Sequence, residues 1–288
     1  MKILFKYLLC IGVITNMSCQ NSLDSNLIVK ADLSKLLKEC SGIENITGSD
    51  NFWLINDAGN TNELFEVNDA GKILNVVEVE NAKNKDWEDL ASDGKDRIFI
   101  GDFGNNENDR KKLKIYTIAV SEISNNSVQA SKVSFHFEDQ DAFPPKKKKR
   151  NFDVEAFVYM KGYFYLFTKD RSTPFKGITK LYKLKASTGK HTAKLLGQYT
   201  IGKDLKTSQV TGAAISNDYK KLVLLTHDKV LEFSGYNGDD FFNGSLRIIN
   251  LNHFSQKESI CFKGNDVYIT DENSKYADGN LYQLKLTQ

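Results

Sequence analysis

Trp87-Glu88-Asp89-Leu90-Ala91, followed by Ile98-Phe99-Ile100-Gly101-Asp102 and then Leu113-Lys114-Ile115-Tyr116-Thr117-Ile118, is the stretch whose reading decides the fold. Its three segments are short, β-branched and aromatic, and they alternate with the period of two expected of strands. Asp93-Gly94 between the first two is a turn signal, because glycine accepts the positive φ that tight hairpins require. Three strands joined by tight turns make an antiparallel sheet.

The same grammar recurs on both sides. Upstream stand Ser41-Gly42-Ile43-Glu44, Phe52-Trp53-Leu54-Ile55-Asn56-Asp57 and Glu63-Leu64-Phe65-Glu66-Val67. Downstream come Asp153-Val154-Glu155-Ala156-Phe157 with Tyr165-Leu166-Phe167-Thr168-Lys169-Asp170, then Val210-Thr211-Gly212-Ala213 with Leu224-Leu225-Thr226-His227-Asp228. The last unit is Lys257-Glu258-Ser259-Ile260 with Val267-Tyr268-Ile269-Thr270-Asp271. Turns such as Asp69-Ala70-Gly71-Lys72 and Ser187-Thr188-Gly189-Lys190 lead into a fourth strand. Repeated four-stranded antiparallel units are the blades of a β-propeller. The reading is all-β, with five blades counted and room for a sixth in the insertions at 121–151 and 198–208. The last unit ends without a fourth strand, and Leu27-Ile28-Val29-Lys30-Ala31 would supply it and close the ring.

A β-sandwich also alternates strands and turns. Against it, an aspartate follows the second strand in every unit: Asp57, Asp102, Asp170, Asp228 and Asp271. A first-strand glutamate precedes it by 13 to 15 residues in four of them, as Glu44, Glu88, Glu155 and Glu258. First strands line the channel of a propeller, so these four glutamates are expected to converge at its axis, with Gly212-Ala213 leaving a gap. Clustered carboxylates repel and need a cation, a proton or hydrogen-bond donors. Calcium, which takes 6–8 oxygen ligands, suits such a ring, and Asn45 and Asp89 would complete its shell. The alternative is structural, with each glutamate accepting neighbouring hydrogen bonds. The aspartates read better as turn caps than as ligands. The loop from Asp102 to Asp109 is rich in oxygen but lacks EF-hand spacing, and it reads as an Asx-rich turn. Among the histidines His136, His191, His227 and His253, only His227 falls at a repeated position. Glu155, His227 and Asp228 are the candidates for acid–base chemistry. No nucleophile elbow, zinc-protease, P-loop or dinucleotide motif occurs.

The chain opens with Lys2 and Lys6, an apolar run from Tyr7 to Ile14, and Asn16-Met17-Ser18-Cys19. The run is too short to span about 30 Å of hydrocarbon. Residues 1–18 read as a lipoprotein signal peptide with Cys19 as the lipidated residue, 19–26 as a tether and 27–288 as the propeller. An ordinary secretory signal is the alternative. Removal of residues 1–18 takes Lys2 and Lys6 from the 39 basic residues and leaves them equal in number to the 37 acidic ones. A balanced chain has no global field for nucleic acid, and membrane contact is expected through the lipid alone. The run Lys146-Lys147-Lys148-Lys149-Arg150 reads as a solvated loop. Of the remaining cysteines, Cys40 and Cys261 sit too far apart along their strands for a disulfide to be expected.

Asp86-Trp87-Glu88-Asp89-Leu90-Ala91, Ile100-Gly101-Asp102-Phe103-Gly104-Asn105-Asn106 and Asn151-Phe152-Asp153-Val154-Glu155-Ala156 resemble an uncharacterised group of secreted bacterial propellers. That group is distantly similar to the SdiA-regulated, NHL and regucalcin/gluconolactonase-like propellers and to esterase-like phytases. The resemblance covers residues 41–285. It implies a channel-centred site, often with calcium, sometimes hydrolysing lactones or phosphoesters. Glu44 and Glu258 carry over, with Asn56, Asp57 and Asp102 less securely; Gly212-Ala213 departs from the lactonase pattern. Two functions follow. One is a cell-envelope lipoprotein on the periplasmic or outer-membrane face, binding a small molecule or an envelope protein with calcium in its channel. The other is a calcium-dependent hydrolase of a lactone, phosphoester or sugar-derived ester, with a glycosidase as a weaker variant. A binder should expose aromatics such as Phe103, Phe143, Phe175 and Tyr276. An enzyme should hold carboxylates of perturbed acidity in a pocket.

Overall fold

The computed structural model describes residues 22–24, 27–273 and 278–286. The signal segment, Cys19 and Tyr276 lie outside the described residues. Strands β1 (Ser22–Asp24) and β2 (Leu27–Asp32) come first. Blade one then runs β3 (Cys40–Glu44), β4 (Phe52–Asn56), β5 (Glu63–Val67) and β6 (Ile73–Val79). Blade two is β7 (Trp87–Ser92), β8 (Arg97–Asp102) and β9 (Leu113–Ala119), joined after the short β10 (Ser127–Val128) by β11 (Ser131–Phe137). Blade three is β12 (Asp153–Met160), β13 (Tyr163–Lys169), β14 (Ile178–Lys185) and β15 (Gly189–Thr200). Blade four is β16 (Gly212–Ile215), β17 (Lys221–Leu225), β18 (Lys229–Ser234) and β19 (Ser245–Asn250). Blade five is β20 (Lys257–Lys263), β21 (Asp266–Asp271) and β22 (Asn280–Leu284), completed by β2.

Every blade is antiparallel, and the first strands neighbour one another in the cycle β3, β7, β12, β16, β20 and back to β3. The ring is closed by β2 pairing with β22, Leu27 opposite Leu284, so the start of the propeller locks its end. The 121–151 insertion contributes β10, β11 and a 3-10 turn at Lys147–Lys149, and among the described residues it holds no sixth blade. Ser22–Asp24, within the stretch read as a tether, adds a parallel strand to the outer edge of β19. Parallel pairs β6–β10 and β11–β15 cover other outer edges, which would otherwise present unpaired backbone groups.

Each pair of adjacent blades shares one apolar cluster. Between blades two and three, Phe99, Phe103, Phe157 and Phe164 interlock, with the Phe103 and Phe157 rings 5.1 Å apart. Between blades one and two, Trp53, Trp87 and Tyr116 do the same. Burying an aromatic of this size contributes roughly 1.5–3 kcal/mol, so the five seams hold the ring. Cys40 and Cys261 are both free and share the cluster between blades five and one.

One irregularity sets up the channel. The first strand slips register against the second at the same place in four blades: between Cys40 and Gly42, Trp87 and Asp89, Val154 and Ala156, and Lys257 and Ser259. The extra residue at each slip is Ser41, Glu88, Glu155 or Glu258. A bulge re-aims one side chain, and here it turns each of these toward the axis. In blade four, Gly212 pairs with Leu225, which gives Thr211 the corresponding place. The residue of blade one matching the other glutamates is therefore Ser41. Glu44 lies three positions farther along the strand, about 10 Å away at a rise of about 3.3 Å per residue.

Candidate active site at the mouth of the channel

The bulges place Ser41, Glu88, Glu155 and Glu258 around one polar cavity of about 240 Å³. Residues at or just past the ends of the second strands also line it, namely Asp57, Lys169 and Glu272, and form a shoulder. Asn106 and Arg171 reach in from loops. Five carboxylates thus face two cations. Glu44 opens instead toward a separate cavity with Thr47, Asp93 and Tyr219. There Oε1 accepts the Asn45 N–H at 2.7 Å, and burial pushes its carboxyl up to about 8. The four-glutamate ring expected from the sequence is corrected to three glutamates and a serine.

Glu155 holds both cations of the cavity. Its Oε2 accepts from Lys169 Nζ at 3.0 Å, and its Oε1 from Arg171 Nη2 at 2.9 Å. Burial works against its charge, but Lys169 and Arg171 overcome that and hold its carboxyl below the usual range. Arg171 Nε also donates to Asp153 at 2.6 Å, and Asp153 accepts the Asn105 N–H at 2.6 Å. Arg171 further donates to Asn106. Charge-assisted pairs of this kind are strong when both partners are shielded from water.

Glu88 is the opposite case. It is 7% exposed, and among the described residues no donor bonds its carboxylate. Burial pushes its carboxyl well above the usual range, and the charges of Glu155, Asp57, Asp153 and Asp86 push the same way. Glu88 shares two clusters of acidic oxygens lying within 4.8 Å of one another: Asp57–Asp86–Glu88 and Glu88–Asp153–Glu155. In the second, Lys169 and Arg171 pair with Glu155 and Asp153 but not with Glu88. The first has only Arg110, 3.7 Å from Asp86 and already engaged at 2.8 Å by Asp102. Burial raises Asp57 to about 6 and also raises Asp86. Two carboxylates at this separation repel by about 3 kcal/mol at an effective dielectric of about 20. Three such contacts demand a proton or a cation.

Backbone shape makes the crowding possible. A Cβ at Gly104 would lie 1.9 Å from Glu88 Oε1 and 2.5 Å from an Asp86 oxygen, so any larger residue would have to displace these two side chains. The loop around it is closed by its own groups. Asn105 Oδ1 accepts from the Arg110 N–H at 2.9 Å, and Asn108 Nδ2 donates to the Asn105 carbonyl at 3.0 Å. That is the Asx-rich turn expected from the sequence.

Several other residues singled out in the sequence serve the fold. Asp89 is fully buried and accepts the Leu90 and Phe157 N–H groups at 2.8 and 3.0 Å, tying β7 to β12. Asn45 donates to Ser49 and Asn51 within its own hairpin. Asp170 accepts N–H bonds from Ser172 and Lys176, and Asp271 from Asn280. The second-strand aspartates are not equivalent in space. Asp102 and Asp271 pair opposite Trp87 and Lys257, Asp57 lies one residue past that level, and Asp170 lies one past Lys169. His227 lies on the shoulder, its Nε2 3.6 Å from Glu258 Oε1, without a hydrogen-bond partner among the described residues. Asp228 does not orient it, bonding Thr226 and Lys229 instead. Phe103 is core, whereas Phe143 and Phe175 are half-buried.

Sequence reasoning missed Asp86, Asp153, Lys169, Arg171 and Glu272 as site residues. A signal existed for two of them, because Asp86-Trp87-Glu88 and Asp153-Val154-Glu155 repeat an acid two residues before the bulge.

The fold matches solved structures. The chain is a β-propeller. The aldose sugar dehydrogenase of Streptomyces coelicolor, solved with PQQ bound, superposes with a TM-score of 0.54 at 8% identity, over 91% of this chain and 98% of that one. A gluconolactonase of Xanthomonas campestris gives a TM-score of 0.48 at 11% identity, over 92% and 90% of the two chains. The Cps50 (Swd1) propeller domain of Myceliophteria thermophila gives 0.47 at 9% identity, over 91% and 100%. Such identities carry the fold alone. No protein-family model matches the propeller, and no curated protein matches it in sequence.

Proposed function

We propose that the mouth of the channel is a cation-assisted site for a small, oxygen-rich ligand. Asp57, Asp86 and Glu88 would hold the cation, and Lys169, Arg171 and Glu155 would orient the ligand. The observation that carries this reading is the convergence of three carboxylates within 4.8 Å whose one cation, Arg110, stands 3.7 Å from Asp86 and is bonded more closely to Asp102. Donors that are all oxygen, on loops and a bulge, suit calcium better than zinc or copper, which favour nitrogen and sulfur. Calcium titration followed by thermal melting is the test. A site filled to 100 times its dissociation constant gains about 2.7 kcal/mol, a rise of roughly 5–10 °C in a domain of this size. Glu88→Gln should abolish the rise, and no rise in the wild type at millimolar calcium removes the reading.

A second reading, hydrolysis, rests on the opposed acidities of Glu88 and Glu155. Neighbouring carboxyl groups driven apart in pKa are a recurring arrangement for acid–base work. In the cation-free site Glu88, protonated, would donate to a leaving oxygen, with Glu155 as the charged partner beside it. Assay against lactones and phosphoesters with and without calcium separates this from binding alone: turnover lost in Glu88→Gln supports hydrolysis.

The chain is further proposed to act at the cell envelope, exported and held by lipid on Cys19. The support is the basic start and the short apolar run from Tyr7 to Ile14, followed by Asn16-Met17-Ser18-Cys19. Mass spectrometry of the mature N-terminus would reveal a diacylglyceryl cysteine, and Cys19→Ser should release the protein from the membrane fraction.

A further inference from the structure

We propose that the cleft between the 139–150 loop and blade three is a second binding site, for a ligand bearing phosphate groups. The cleft encloses about 560 Å³, within the usual range for small-molecule pockets. Phe152 and Ile178 line its wall, and Lys146, Lys148, Lys149 and Lys176 stand around it.

The loop backbone holds these lysines together. Lys149 and Arg150 donate their N–H groups to the carbonyls of Lys146 and Lys147 in a 3-10 turn. Thr173 N–H bonds the Lys147 carbonyl at 3.2 Å, and Arg171 N–H the Arg150 carbonyl at 3.1 Å, stapling the loop to the end of β13. Lys176 Nζ donates to the Lys148 carbonyl at 2.7 Å, which draws a further ammonium into the group. Lys146, just before the 3-10 turn, and Lys149, at its end, both border the cleft. A merely solvated run would fan its charges apart, yet three of its four lysines border one cavity.

The cleft's carboxylates offset these lysines only in part. Asp139 is taken by Lys180 at 2.6 Å, so Asp141 and Asp170 face Lys146, Lys148, Lys149 and Lys176, and the cleft keeps an excess of two positive charges. Among the described residues, Lys146, Lys148, Lys149 and Lys176 make no ion pair. Several unpaired ammoniums around one cavity call for a multiply charged anion. Lysine is a rotatable point charge suited to tetrahedral phosphate oxygens, whereas the planar carboxylate fork is matched by arginine. The one nearby arginine of the loop, Arg150, is turned away to Glu107 at 2.9 Å.

The phosphate would come from a free phosphorylated molecule or from a lipid headgroup, and the test separates them. Calorimetry of the full chain with pyrophosphate should give saturable binding of one equivalent. Lys146→Ala/Lys149→Ala should weaken it about tenfold, with an unchanged melting temperature. Lys30→Ala/Lys72→Ala removes equal charge elsewhere and should leave the affinity as it was. Water-soluble short-chain phosphatidylglycerol binding tighter than pyrophosphate, with the same lysine dependence, assigns the headgroup source; the reverse order assigns the free molecule. No saturable binding of either probe, or binding that both double variants weaken equally, overturns the site. Neither outcome bears on the channel, whose calcium response is read separately.

Discussion

Glu88 and Glu155 occupy the same bulge in neighbouring blades, with oxygens in one 4.8 Å cluster, yet only Glu155 has cations of its own. Lys169 Nζ and Arg171 Nη2, at 3.0 and 2.9 Å, fix the charge on Glu155 and leave the proton or cation requirement to Glu88. Lys169→Met is therefore expected to destabilise the calcium-free protein by about 3 kcal/mol, the scale for removing one partner of a buried pair. The same change should enlarge the calcium response, because Glu155 then joins the open acid cluster. Urea unfolding with and without calcium measures both. A variant as stable as the wild type would show that the pair does not hold the mouth together.

The raised carboxyl groups set a pH dependence. Burial lifts Glu272 to about 8, with help from the charges of Glu258 and Asp57, and burial lifts Glu44 to about 8 from 4.5. An acid that holds its proton more tightly when folded favours the folded state below its unfolded pKa. That advantage fades as pH climbs toward the folded value. Stability without calcium should thus fall between about pH 4.5 and 8, by up to about 1.4 kcal/mol per pH unit for each such group. Saturating calcium should flatten the part of the slope due to the channel mouth. Glu44→Gln, at the other cavity, should remove part of the slope and leave the calcium response intact. Melting curves across this range decide it, and a stability that rises with pH contradicts the assignment.

Much of the fold was legible because the strand grammar is local. Period-two alternation and Asp-Gly turns identify blades one after another, and the unfinished last unit points to Leu27–Asp32 as its missing strand. The site was less legible, because a bulge is a matter of pairing. Aligning glutamates by spacing alone matched Glu44 to Glu88, whereas the slip at Ser41 shifts blade one by three positions. Lys169 and Arg171 were hidden for another reason. They meet Glu155 and Asp153 of the same blade only because the bulge in β12 turns Glu155 toward them, and spacing along the chain does not encode that turn. The second-strand aspartates show the same limit, since one acid per unit proved to occupy three different levels of the channel wall.

Gly104 offers a test of the site that spares the core. Its Cβ would meet Glu88 Oε1 at 1.9 Å and an Asp86 oxygen at 2.5 Å, both on side chains that can move. Gly104→Ala should keep the fold while driving the two carboxylates apart. Calcium affinity is expected to drop at least tenfold, with melting in the absence of calcium lowered by only a few degrees, in keeping with a loss of about 1–2 kcal/mol. Retained calcium affinity would mean that Asp86 and Glu88 do not act together.

The two cysteines of the propeller should be chemically silent. Cys40 Sγ lies 3.4 Å from Thr270 Oγ1, and burial pushes its thiol up to about 12. Burial also raises Cys261 well above the ordinary thiol range. The thiolate is the reactive form, so both effects, burial and high pKa, slow modification. With Ser41 matching Glu258, Cys40 and Cys261 differ by four strand positions, or about 13 Å along the strands, which exceeds the reach of a disulfide. Ellman's reagent should therefore modify neither in the native protein at neutral pH, and both rapidly in denaturant, with the same result after mild oxidation. Rapid native labelling of either cysteine would mean that the seam between blades five and one opens far more often than its packing implies.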